Sequence, residues 1–130
     1  AVLLELLRAL KRRGPSEVGH VFLFLDGEER IGPPPFVPTL DHPRANACFG
    51  ARAQVLRWRE EQRRPGAFVL LEMVGDAELG LVRETSYSDP RLLELFVRAA
   101  QRCGLGATQL VEERGMMDDH VPFAEAGVPS

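Results

Sequence analysis

Two short runs of almost unbroken apolar residues constrain this chain more than any other feature: VFLFL over residues 21–25 and AFVLLEMVG over residues 67–75. Apolar runs without alternation read as strands buried on both faces, the situation in a parallel sheet covered by helices on either side. A third run, ELGLVRE at 78–84, is shorter and alternates more, and a short strand is expected around Thr108 to Val111.

Helical patterns lie between these runs. In AVLLELLRALKRRG, Val2, Leu3, Leu6, Leu7 and Leu10 recur at helical spacing, and Lys11, Arg12, Arg13 and Gly14 close the helix with cations at its negative end. FGARAQVLRWREEQRR repeats the pattern with Val55, Leu56 and Trp58 and stops at Arg64-Pro65-Gly66. Ser88-Asp89-Pro90 sets a side-chain acceptor before a proline at the first helical position, so a helix runs from there to Gly104. A single helical turn is expected near Phe123 to Ala126. The five prolines of IGPPPFVPTLDHPRAN, about 31–46, rule out helix or inner strand and predict a long surface loop. Alternating helices and buried strands predict a three-layer αβα domain with a mixed, largely parallel sheet.

At 130 residues the chain fits one domain, and its 45% hydrophobic and 27% charged residues suit a folded protein. The net charge of −3 gives no basic footprint for nucleic acid. No apolar run approaches the roughly 20 residues of a membrane helix, and residues 1–13 carry no small-residue cleavage site. Cys48 and Cys103 lie far apart outside any Cys-x-x-Cys pattern, so they read as free thiols and leave the compartment open. A Gly-x-Ser-x-Gly elbow and a phosphate-cradling glycine loop are both absent.

Ligands of open α/β sheets bind beyond the carboxyl ends of the strands. Three groups of acids fall in such places: Glu28 and Glu29 after the first run, Glu72 in the second, and Asp118 and Asp119 before the last helical turn. Glu72 needs a partner if it is inside its strand, and is simply solvated if the strand ends early. Glu28 and Glu29 are otherwise surface charge on an Asp-Gly turn, and Asp118 and Asp119 are otherwise caps for the turn at Pro122. His120 is a metal ligand only in company; His20 and His42 have no assigned role.

Taken in order, the blocks LFLDGEE, FGAR, VLLEMVGD and DDHVPFAEAGVP resemble successive segments of the zinc aminopeptidase family that also contains the glutaminyl cyclases. By that resemblance Glu28 matches the general acid/base, and Glu29 the carboxylate that binds zinc. The adjacency suits the chemistry, since one carboxylate holds the metal while its neighbour is free to move a proton. Glu72 stands where the aminopeptidases usually place a zinc-binding Asp and the cyclases an Asp of a hydrogen-bond network, which leaves one zinc ion or two as the expectation. Asp118 matches a catalytic-network aspartate of the cyclases.

The resemblance implies the core of a zinc-dependent aminopeptidase-like hydrolase acting on peptide or protein N-termini. A glutaminyl-peptide cyclotransferase and a non-catalytic binding member of the same fold are the alternatives. Among the family's metal-ligand positions, those carrying histidine have no match here. The chain therefore reads as a single partial catalytic domain, 1–130, truncated at both ends, that on its own binds zinc weakly and is inactive.

Overall fold

The computed structural model describes residues 2–29, 47–75, 81–104 and 110–130. Among these, the elements in chain order are α1 (Val2–Arg13), α2 (Phe49–Glu60), β1 (Leu81–Glu84), α3 (Pro90–Arg102), β2 (Leu110–Arg114) and α4 (His120–Glu125). The expected proline-rich loop at 31–46 lies outside the described residues. β1 and β2 pair in parallel, Leu81 opposite Leu110 and Glu84 opposite Arg114, with an irregularity between Leu81 and Val82. Because parallel neighbours need a crossover, α3 is the link of a β-α-β unit.

The hydrophobic core lies between α2 and α4. Ala51, Val55 and Trp58 are buried on one face of α2 at helical spacing, and Cys48, Ala47 and Phe123 close around them. Phe123 stacks on Phe68, ring centroids 3.9 Å apart, and meets Trp58 at 5.4 Å in a tilted arrangement. Leu56, expected to help form this face, is exposed because it lies one residue, about 100° of helical rotation, away from Val55.

The two apolar runs that suggested buried strands carry no regular secondary structure and join no strand ladder among the described residues. In 21–25 only one face is covered: Leu23 and Leu25 pack against the core, whereas Val21 is 63% and Phe24 71% exposed. An unbroken apolar run reports that both faces avoid water only when something lies over each of them, and here the Phe24 face is uncovered. In the second run the Phe68 N–H donates to the Pro129 carbonyl at 2.8 Å, and the chain turns at Met73 with φ 47°. Among the described residues helix thus predominates, and the sheet there is the parallel pair β1 and β2.

The remaining boundaries move by a few residues. β2 extends to Arg114, and α4 starts at His120 rather than Phe123. α3 begins as expected, with the Asp89 carboxylate accepting the Arg91 and Leu92 N–H groups at 2.7 and 3.2 Å. α1 is the expected amphipathic helix, yet none of its residues is buried.

Candidate active site

The DGEE turn is fixed by its backbone. Residues at a helix start have N–H groups without intrahelical partners. At α2 these point at the turn: the N–H groups of Cys48, Phe49 and Gly50 donate to the carbonyls of Glu28, Gly27 and Asp26 at 3.0, 2.9 and 2.9 Å. Such close approach requires glycine at position 50, where a Cβ would stand 2.5 Å from the Asp26 carbonyl oxygen. Gly27 takes φ 68°, the left-handed region that glycine enters freely. The DGEE and FGAR blocks are therefore one structural unit, and it sets the Glu28 backbone against the N-terminal end of α2.

Asp118, Asp119 and His120 approach from α4, all buried. Asp118 Oδ1 accepts the Asp119 N–H at 2.6 Å, and the Asp118 carbonyl accepts the Val121 N–H at 3.0 Å. Asp119 precedes α4 without a side-chain capping bond, so the expectation that it caps the turn does not hold. Its carboxylate hydrogen-bonds the Cys48 thiol instead, and its Oδ1 is buried without a partner. Glu72 stands exposed at the end of the second apolar run, so it escapes the desolvation problem of a strand interior. Glu29 is exposed as well.

The three groups of acids lie within electrostatic reach of Glu28. Burial raises the Glu28 carboxyl above its ordinary range, and Asp118, Glu29, Asp119 and Glu72, in that order, raise it further. Asp119 is raised by burial and then by Asp118, against the opposing thiol bond. Burial first and the Asp119 charge second push the Cys48 thiol up to about 11, so it stays protonated and a donor.

These oxygen donors and their negative charge fit a divalent cation in kind, and the buried Asp119 Oδ1 has no hydrogen-bond partner. The ligand shell is partial: among the described residues no three His, Cys, Asp or Glu side chains are grouped to hold a metal ion. A cleft of about 560 Å³ opens elsewhere, near the far end of α2 between Trp58, Arg59, Arg63, Arg64 and Val128. Its arginines have the wrong sign for a cation, and none of the five acids lines it.

One residue escaped the sequence reading. Glu84, 8% exposed at the end of β1, accepts four backbone N–H groups: Ser86 (2.7 Å) and Met116 (3.1 Å) on Oε1, Tyr87 (2.8 Å) and Ser88 (2.7 Å) on Oε2. Burial alone would raise this carboxyl, but the four donors prevail and bring it to about 2. His120 Nε2 lies 3.7 Å from Glu84 Oε2, an ion-pair separation longer than a hydrogen bond, with the Tyr87 ring edge-on to the imidazole. Burial lowers the His120 pKa, which keeps the ring neutral, against the opposing charge of Glu84. The available signal was an acid at a strand end followed by Thr-Ser-Tyr-Ser, a turn rich in N–H groups without strand or helix partners.

With this geometry in view, comparison with known proteins gives a consistent result. The model of the family described as Peptidase family M28 matches residues 1–130. The chain belongs to that family. Among solved structures, this M28 chain is similar to the crystal structure of Acidobacteriales bacterium glutaminyl cyclase, with 32% identity and a TM-score of 0.68. The match covers 82% of this chain and 34% of the cyclase, so the chain spans about a third of that protein's length. No curated protein matches. The resemblance read from the four sequence blocks is thus established at the level of the family, and with it an α/β fold.

Proposed function

We propose that this M28 chain carries the acid–base centre of a zinc-dependent enzyme acting on peptide N-termini, with glutaminyl cyclisation as the favoured reaction. The observation that supports the reading is that Glu29, Glu72, Asp118 and Asp119, from three separate segments, all act electrostatically on Glu28. The likeness to a glutaminyl cyclase and the match of Asp118 to a catalytic-network aspartate of the cyclases favour cyclisation.

Glu28 is the acid/base. Its raised proton affinity suits a group that takes a proton and returns it. In cyclisation, the α-amine of an N-terminal Gln attacks its own side-chain amide carbon, a C–N bond forms, and the amide C–N bond breaks to release ammonia. Glu28 takes the amine's proton and delivers it to the leaving nitrogen. Asp118, buried and within electrostatic reach, disfavours a negative charge on Glu28 and so strengthens it as the base that takes the amine's proton. Zinc, when bound, polarises the carbonyl under attack, and Glu29 and Glu72 are the residues here that would hold it. The three-layer αβα architecture with a mixed, largely parallel sheet is part of the same proposal.

The description of the family as peptidases favours a second reading, hydrolysis of an N-terminal peptide bond. There Glu28 takes its proton from the attacking water and passes it to the leaving amine. Assaying the full natural chain with a Gln-initiated peptide and a leucine anilide separates the two. Ammonia release without peptide cleavage is expected; anilide cleavage alone would replace cyclisation with hydrolysis. Zinc binding with neither turnover would leave a non-catalytic binding protein.

A further inference from the structure

The loop Gly115–Asp119 delivers Asp118 and Asp119 to the acid cluster, and the turn after β1 holds it in place. The Met116 N–H is tied to Glu84 Oε1, which also takes the Ser86 N–H, while Oε2 takes Tyr87 and Ser88. Independently, Gly115 allows a close approach to the same turn: a Cβ there would stand 2.2 Å from Ser86 Oγ and 3.2 Å from Ser86 Cβ. His120 completes the contact on the α4 side, its Nε2 3.7 Å from Glu84 Oε2.

We propose that Glu84 is a positioning residue, whose carboxylate clamps the Gly115–Asp119 loop to the turn after β1 and thereby sets where Asp118 stands at the reaction centre. It rests on the reading of Asp118 as part of the proton network around Glu28. Glu84 touches neither substrate nor metal in this scheme; it acts through Asp118. The clamp needs a carboxylate. Two oxygens with spare lone pairs receive four donors, whereas a glutamine of the same shape offers one acceptor oxygen and turns an N–H₂ toward the rest.

The test uses the full natural chain loaded with zinc. Glu84→Gln is expected to lower kcat by about 100-fold, the scale of an ångström-sized misplacement, with KM and zinc content unchanged. In an Asp118→Asn background the same substitution is expected to lower kcat less than about twofold, because residues acting as one unit are not additive. Gly115→Ala, which crowds Ser86 without removing a charge, is expected to give a smaller kcat-selective loss with the same dependence on Asp118. It serves where Glu84→Gln does not fold. Multiplicative losses in the double variants, or an unchanged kcat in Glu84→Gln, would overturn the proposal.

Amide exchange keeps this outcome separate from that of the proposed activity. In Glu84→Gln, faster exchange is expected at Ser86, Tyr87, Ser88 and Met116 and onward through Asp119 and Val121, with α2 unaffected. If faster exchange stops at Ser88, the clamp is wrong whether or not the protein turns over either substrate.

Discussion

Glu28 and Glu84 are the same residue type, and their surroundings push them in opposite directions. Burial and then the charges of four other carboxylates raise Glu28; Glu84, itself buried, accepts four backbone N–H groups and is lowered to about 2. The two regions also differ in what supports them. The Glu28 turn lies on the apolar core of α2 and Phe123, whereas the Glu84 turn is held mainly by hydrogen bonds to one carboxylate. A raised carboxyl among like charges is suited to moving protons, and a lowered one surrounded by donors is suited to holding backbone in place.

The largest effect is expected where this contrast is tested directly. Glu28→Gln in the full natural chain should lower turnover by about 100- to 10,000-fold, the range for loss of a general acid/base, with zinc content retained. Zinc analysis beside the assay checks this, and retained turnover would place Glu28 with the structural glutamates.

The next break concerns the supports. Phe123 is fully buried against Phe68 and Trp58, so Phe123→Ala should cost about 3–5 kcal/mol in chemical denaturation. Local exchange should rise at the Cys48, Phe49 and Gly50 amides that hold the DGEE turn, while the amides bound to Glu84 stay protected. Equal loss on both sides would mean that the two regions share one support.

The third prediction follows from linkage. Glu84 is depressed from 4.5 to about 2, so its stabilising contribution is complete above pH 4.5 and is lost as pH falls toward 2. The amount is on the order of 3 kcal/mol. Acid unfolding of the natural chain should therefore steepen in this window, and Glu84→Gln, already less stable at neutral pH, should show a flatter profile there. A variant with the wild-type slope would assign the acid sensitivity to other carboxylates.

How far the sequence could be read depended on whether its signals were local. The start of α3 was legible because Asp89 and Pro90 act within one turn, and the four site blocks were legible because each carries its chemistry in consecutive residues. The second face of 21–25 was not, since an apolar run says what a segment avoids without saying what covers it. Leu56 was misread for lack of a second helix against which to set the face of α2. Glu84 was missed because its importance rests on Met116, thirty-two residues away in sequence, and on N–H groups that no side-chain pattern records. The glycine of FGAR belongs between these cases: it was quoted as part of a block, but its reason, the 2.5 Å approach to Asp26, exists only in the fold.

Asp89 gives the smallest prediction and fixes the lower end of the scale between Glu28 and Glu84. Like Glu84 it is an acid accepting backbone N–H groups, but it takes two rather than four and sits partly exposed at the start of α3. Water can replace those bonds when the side chain is removed, and Pro90 keeps the first helical residue in a helical φ. Asp89→Ala should therefore cost about 1 kcal/mol, the usual loss for a helix cap, with kcat unchanged because α3 contributes none of the five acids. Equilibrium denaturation and the two assays check both halves. A cost matching that of Glu84→Gln would mean that carboxylates here are ranked by their presence at N–H groups alone, and not by how many donors they gather or how deeply they are buried.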